Sequence, residues 1–540
     1  MVQGERPRAS PHRAFTATIV FCCGLLAVVA LGLSTRQAQA LPSFARQTGQ
    51  PCGTCHTDYP GLTPYGRRFK LYGYTIGGGK YRTPMLSPPK ADVAFEYAKS
   101  AALPFPALAA KEKSDLIAYA DTIHPIDAPV VETGPKGWVP PISVMGILGF
   151  THTDSPLPQT APFTPPPFPQ TAPFQPNDNL VLAPVSFFWG GAITDHVGAF
   201  AQFTYSGPGA GPPGDPFVHN WGWDQTDIRY ANAATIGNFD IVWGLIINNN
   251  PSNQDLWNST PAWSYPFAYA VSTLAGPPTG GTMLEGTWGP GHVGSVGIYA
   301  MINDILYLEA TGYRTLDFHT QNSFGVDPLG APGLFDGVAP YWRIAIEPHW
   351  GNHYLMLGAF GMLAKVHPWV VSLFPNLLSS VDPTATFPQT DNFTDIGLDT
   401  QYQYQGAGWW LTLRGSLIRE YQYLYASFVN GLSSSPGTPN NELNSLRLYA
   451  SVALGNDNRI VLTAQHFNIW AHPDLLAATT DSNGWIAELA YIPYGLNSAP
   501  GWPWANVRMG LQYTWYNRLN GLTNTAQNNN TVFLFAWFAM

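Results

Sequence analysis

Charge and cysteine are scarce in this 540-residue chain: acidic and basic residues together make up 11% of it, and it has 4 cysteines. Past residue 40 it also lacks any apolar run approaching the ~18 residues that a membrane helix needs, which excludes helical spans from the body of the protein. Basic residues are the rarer sign, 25 Lys and Arg against 34 Asp and Glu. That balance excludes nucleic acid as a partner, because phosphate backbones demand a basic face.

Residues 1–40 read as an export signal. Arg6, Arg8 and Arg13 precede an apolar stretch from Ala14 to Leu33, and Ala38-Gln39-Ala40 offers a small-residue cleavage site. The alternative is a retained anchor, since the apolar stretch is nearly long enough to cross a bilayer. Both readings export the chain. Cleavage before Leu41 removes Cys22 and Cys23 and leaves 21 basic against 33 acidic residues, a net charge of about −12.

The two cysteines that remain stand in Cys52-Gly53-Thr54-Cys55-His56. This is the C-x-x-C-H pattern of c-type haem attachment, in which two thiols anchor the porphyrin and the adjacent histidine becomes an axial iron ligand. A redox C-x-x-C pair is the alternative, but the strand and helix that flank such a pair in an α/β unit are not evident here. Downstream, Thr63 suits an N-cap, Pro64 a first helical position and Gly73 an exit, so a short helix is expected over Pro64–Tyr72. Tyr65, Phe69 and Tyr72 then share a face that can pack on a porphyrin, and Arg67, Arg68 and Lys70 can pair with its propionates. Met85, His124 and Met145 are the candidates for the sixth iron position, with Met85, after Pro84, preferred. Residues 103–123 look like the closing helix of small c-type cytochromes.

Glycine, proline and aromatic residues are abundant: 53 Gly, 50 Pro and 14% Phe, Trp and Tyr. From Pro141 onward, segments of roughly 8 to 12 residues alternate apolar with small or polar side chains. In Ala505–Trp515, Val507, Met509, Leu511, Tyr513 and Trp515 oppose Asn506, Arg508, Gly510, Gln512 and Thr514. Leu446 to Leu454, Trp342 to Glu347 and Asp395 to Gln403 repeat the pattern. Apolar faces with aromatics at the strand ends suit lipid and its two interfaces. Short connectors such as 455–458 alternate with long stretches such as 206–222, 251–280 and 425–444, as periplasmic turns alternate with external loops. The proline-rich segment 154–177 reads as a loop between the first two strands, and Thr531–Met540 as the closing strand. The expected fold is an all-β transmembrane β-barrel of about 16 antiparallel strands. It spans 139–540 and follows a signal peptide, 1–40, and a small α-helical monohaem cytochrome c domain, 41–138.

Ser43-Phe-Ala-Arg-Gln-Thr-Gly-Gln-Pro-Cys-Gly-Thr-Cys-His56, followed by Tyr65-Gly-Arg-Arg-Phe-Lys-Leu-Tyr-Gly-Tyr74, resembles the haem segment of the fused outer-membrane cytochrome–porin family of iron-oxidising bacteria. Pro141–Phe150 resembles that family's first barrel strand, and Asn248–Trp263 one of its internal loop segments. The resemblance implies one covalent haem c held by Cys52, Cys55 and His56 in or under the barrel lumen. It also implies an outer-membrane location and electron transfer from an extracellular donor, ferrous iron in the best-known members, to a periplasmic cytochrome or other redox acceptor. Two other functions fit the same residues. One is a diffusion porin whose haem-bearing domain is a plug or sensor; the other is a haem peroxidase using His124 or His152 as distal acid or base.

Overall fold

In the computed structural model of the protein, the described residues are 42–75 except 49, and 140–540 except 157–174, 208–219, 271–279, 374–381, 383, 432–437, 456, 472–480 and 498–503. The expected helix at 103–123, the proline-rich segment over 157–174, Met85 and His124 lie outside them.

Alternating sequence with turn residues at its breaks produces one sheet of 18 strands. Two of these, Gly333–Phe335 and His349–Trp350, are short spurs that pair with the strand His353–Pro368. The other sixteen build the wall. The first eight are β1 (Ile142–Thr153), β2 (Asn179–Ala192), β3 (Val197–Tyr205), β4 (Trp221–Ile236), β5 (Phe239–Asn248), β6 (Val293–Ile302), β7 (Leu306–Thr315) and β8 (Ala339–Ile346). The second eight are β9 (His353–Pro368), β10 (Asp391–Gly406), β11 (Trp409–Tyr423), β12 (Asn440–Leu454), β13 (Ile460–Ala471), β14 (Ser482–Tyr491), β15 (Asn506–Arg518) and β16 (Thr531–Ala539). Neighbours are antiparallel throughout, and β16 pairs with β1, Ala539 opposite Met145, so the sheet closes and no edge is left unpaired.

The period of two sorts the side chains as expected. On β15, Leu511 and Tyr513 are exposed while Arg508, Gln512 and Thr514 are buried. On β8, Trp342, Ile344 and Ile346 face out and Arg343 faces in. Val296, Ile298, Leu398, Leu448, Leu462 and Leu489 extend this apolar outer surface around the barrel. Aromatic groups gather near both rims: Phe187, Phe203, Tyr205 and Trp221 at one, Trp350, His353, Tyr404 and Trp409 at the other. A closed barrel with an apolar outer face and aromatic girdles is a membrane barrel, and the protein resides in the bacterial outer membrane with lipid as its outer solvent.

Short turns cluster at the rim where β1 begins: 193–196, 237–238, 303–305 and 407–408 join their strands there. Long connections leave from the opposite rim. The expected external loop at 251–280 is corrected by the structure, because its first half folds into the lumen and residues 249–260 are buried. The physical reason lies in its own side chains. The Asp255 carboxylate accepts hydrogen bonds from the backbone N–H groups of Trp257, Ser259 and Thr260, so the segment can be buried away from water. The loops expected at 206–222 and 425–444 are shorter, because β4 starts at Trp221 and β12 at Asn440.

A sixteen-strand barrel is wide enough for an aqueous channel. Here residues 42–48, residues 50–75 and the inward loop occupy its lumen.

Candidate functional site

The N-terminal segment enters at the short-turn rim as three helical pieces, α1 (Pro42–Thr48), α2 (Cys52–Cys55) and α3 (Pro64–Leu71). α1 is tied to the wall by Ser43 N–H donating to Ser143 Oγ at 3.0 Å and by Gln47 Nε2 donating to the Gly190 carbonyl at 2.9 Å. α2 is a single turn, closed by His56 N–H donating to the Cys52 carbonyl at 2.9 Å.

Thr63 links this turn to the next helix. Its hydroxyl accepts from Gly66 N–H at 3.1 Å, the N-cap expected from sequence, and donates to the Thr54 carbonyl at 2.6 Å. Its own N–H donates to the Cys55 carbonyl at 2.9 Å. Pro64 holds the first helical position, Tyr72 is the C-cap, and Gly73 has a φ of +66° beside Arg229, so the helix ends one residue earlier than expected. A non-glycine residue at 73 would carry the steric penalty of left-handed backbone.

The side chains of α3 do not divide as the sequence suggested. Phe69 reaches the cavity beside Cys52 and Cys55, whereas Tyr65 and Tyr72 pack with Leu71, Val242 and Trp257. Arg67 pairs with Glu347 and Gln403, and Arg68 with Asp304 in the β6–β7 turn. The two arginines anchor the plug to the wall instead of facing a porphyrin, because the Glu347 and Asp304 carboxylates lie within their reach. Lys70 does line the cavity. Its Nζ donates to the carbonyls of Asn253 and Asp255 at 2.7 and 2.8 Å and lies 4.6 Å from the centre of the Trp263 ring. Burial pushes the Lys70 ammonium down to about 7, against the nearby Asp227 and Asp255 carboxylates, which oppose the shift.

The cavity itself encloses about 770 Å³, within the roughly 300–1,000 Å³ typical of cofactor sites. Cys52, Cys55 and His56 edge it from the plug, and Met145, Phe188 and Phe200 edge it from β1, β2 and β3. No disulfide joins Cys52 to Cys55. Burial, with Cys52 beside it, pushes the Cys55 thiol up to about 12. Burial pushes His56 down to about 4, so the imidazole is neutral, and its Nδ1 is buried without a hydrogen-bond partner. Two thiols, a neutral imidazole with an orphaned nitrogen, and an aromatic cavity beside them fit a covalently attached haem. Among the described residues no group of three or more His, Cys, Asp or Glu side chains is placed to hold a bare metal ion.

Sequence reasoning missed Arg447 and Arg508, which line the cavity and stand on distant strands. Arg508 also bonds the Tyr59 carbonyl and pairs with Glu488 at 2.6 Å and Asp58 at 3.4 Å, joining plug to wall. His152 sits at the opposite rim, exposed, with Nδ1 2.7 Å from Asp178. It is therefore remote from the cavity, which removes it as a distal acid or base.

No protein family matches the sequence and no curated protein is similar to it. Solved structures similar to it are outer-membrane barrels. OprB of Pseudomonas putida is 12% identical over 74% of this chain and 92% of its own, with a TM-score of 0.42. OmpT of Vibrio cholerae is 9% identical over 74% and 95%, with a TM-score of 0.36. OccAB1 of Acinetobacter baumannii is 12% identical over 76% and 99%, with a TM-score of 0.34.

Proposed function

We propose that this barrel is an outer-membrane electron-transfer protein, carrying one c-type haem on Cys52 and Cys55 with His56 as proximal ligand. Electrons pass from an extracellular donor to a periplasmic cytochrome or other redox acceptor. The observation that carries the reading is the placement of the C-x-x-C-H turn on a lumenal plug with both thiols and the histidine edging one large cavity. When bound, the haem supplies a one-electron carrier.

The chain's own residues do the rest. Cys52 and Cys55 anchor, and neutral His56 offers a ring nitrogen to iron. Phe69, Phe188 and Phe200 give the cavity an aromatic wall against which a porphyrin would pack. The acidic balance of the sequence favours approach of a cationic donor such as Fe(II).

A second reading, a diffusion porin whose haem-bearing plug gates it, is favoured by the strand number, which sets a lumen of porin width. One experiment separates the two. Outer-membrane preparations of the full chain, matured with haem, are given ferrous iron while the haem spectrum and the conductance of reconstituted bilayers are followed. Reduction of the haem with negligible conductance supports electron transfer; steady conductance with a haem that neither iron nor another external reductant reaches sinks it in favour of the porin.

A further inference from the structure

The plug edges one side of the cavity, and the rest of its wall comes from barrel strands and from the inward loop, including Asn258, Trp263 and Phe267. Among the described cavity-lining side chains, Met145 is the one thioether and His56 the one imidazole. Met145 belongs to β1, where Ser143, Ile147 and Gly149 are buried on the lumenal face, and the period of two puts residue 145 on that face with them. It packs against Phe69, Tyr74, Phe188 and Phe200 but remains partly open to the cavity.

Lys70, the nearest competitor by chemistry, has its Nζ committed to two backbone carbonyls. The one carboxylate among the described cavity-lining residues, Asp224, is held by the Thr204 hydroxyl at 2.7 Å and by the Gln225 N–H at 2.9 Å.

We infer that Met145, from the first barrel strand, supplies the sixth ligand to the iron whose proximal ligand is His56. This rests on the haem reading above. It differs from the sequence-based preference for Met85, which lies outside the described residues, and has a structural consequence: the plug would carry one ligand of the iron and the barrel the other, so ligation would be complete only when the plug is seated. A thioether ligand also raises the reduction potential relative to a second histidine, which suits a carrier that must accept electrons from a weak reductant.

The test uses the full haem-loaded chain and three variants, Met145→Leu, Met145→His and Met85→Leu. Leucine conserves volume, so packing is retained while the thioether is removed. The wild type and Met85→Leu are expected to show the near-infrared sulfur-to-iron charge-transfer band of a low-spin haem. In Met145→Leu the band should vanish and the ferrous haem should bind carbon monoxide. Met145→His should restore a low-spin spectrum without the band and with a lower midpoint potential. An unchanged band in Met145→Leu, or its loss in Met85→Leu, overturns the assignment while leaving the haem in place. A wild type that stains for covalent haem but lacks the band does the same. Failure of the wild type to acquire covalent haem overturns the functional reading and the ligand assignment together.

Discussion

Gly66 of α3 lies so close to Cys55 that a Cβ on it would stand 2.2 Å from the Cys55 carbonyl oxygen. The helix that follows the C-x-x-C-H turn therefore packs directly on the turn's backbone, and only hydrogen fits between them. Gly66→Ala must push α3 away or tilt α2, at a cost of about 1–3 kcal/mol. Protease sensitivity of the plug in intact outer membranes should rise in this variant, with the barrel's heat-modifiable mobility on gels unchanged. Unaltered protection would show that the contact relaxes freely.

Arg508 holds the plug to the wall through Asp58, the Tyr59 carbonyl and Glu488, with all three side chains almost fully buried. Arg508→Met removes the cation and leaves two buried carboxylates facing each other, which costs about 3–5 kcal/mol. Glu488→Gln combined with Arg508→Met should recover part of that loss. Urea unfolding of the reconstituted protein measures both; additive losses in the double variant would contradict a shared network.

Lys70 gives the plug a dependence on pH. Its pKa in the folded state is about 7, below the ordinary 10.5. Between those values the unfolded chain holds a proton that the folded chain does not, so stability rises with pH across that window, and the cost of burying the ammonium is felt in full below it. The difference in unfolding free energy between wild type and Lys70→Met should therefore shift in favour of wild type as pH rises above about 7. A difference that is flat with pH would mean the ammonium is well solvated in place.

The outer face makes an independent prediction. Leu511 lies at mid-strand on β15 and is exposed. Leu511→Arg should cost about 2–4 kcal/mol of barrel stability in a bilayer. Equal stability of the variant and the wild type in lipid would place that face somewhere other than against acyl chains.

The barrel was legible in the sequence because alternation is a local signal. Arg343 between Trp342 and Ile344, or Gln512 between Leu511 and Tyr513, declares its face through its immediate neighbours. Thr63-Pro64 and Gly73 declared α3 for the same reason. The cavity was not legible, since its walls come from residues far apart in the chain: Phe69, Met145, Phe188, Phe200, Arg447 and Arg508 meet only after the sheet closes. The inward fold of 249–260 was also hidden. An Asn- and Asp-rich loop that hydrogen-bonds its own backbone has the same composition as one that faces water. Arg67 and Arg68 were read toward a porphyrin because the sequence gives no sign that Glu347 and Asp304 reach the plug.

The most direct measurement is of the C-x-x-C-H turn itself. The full chain is produced with the haem-attachment machinery, recovered from outer membranes, denatured and examined for haem that remains on the polypeptide, beside Cys52→Ala, Cys55→Ala and His56→Ala. Covalent haem on the wild type is expected, with attachment lost or reduced to a single thioether in the cysteine variants and the spectrum altered in His56→Ala. A correctly folded wild-type barrel that carries no covalent haem would contradict the electron-transfer reading and leave a plugged porin.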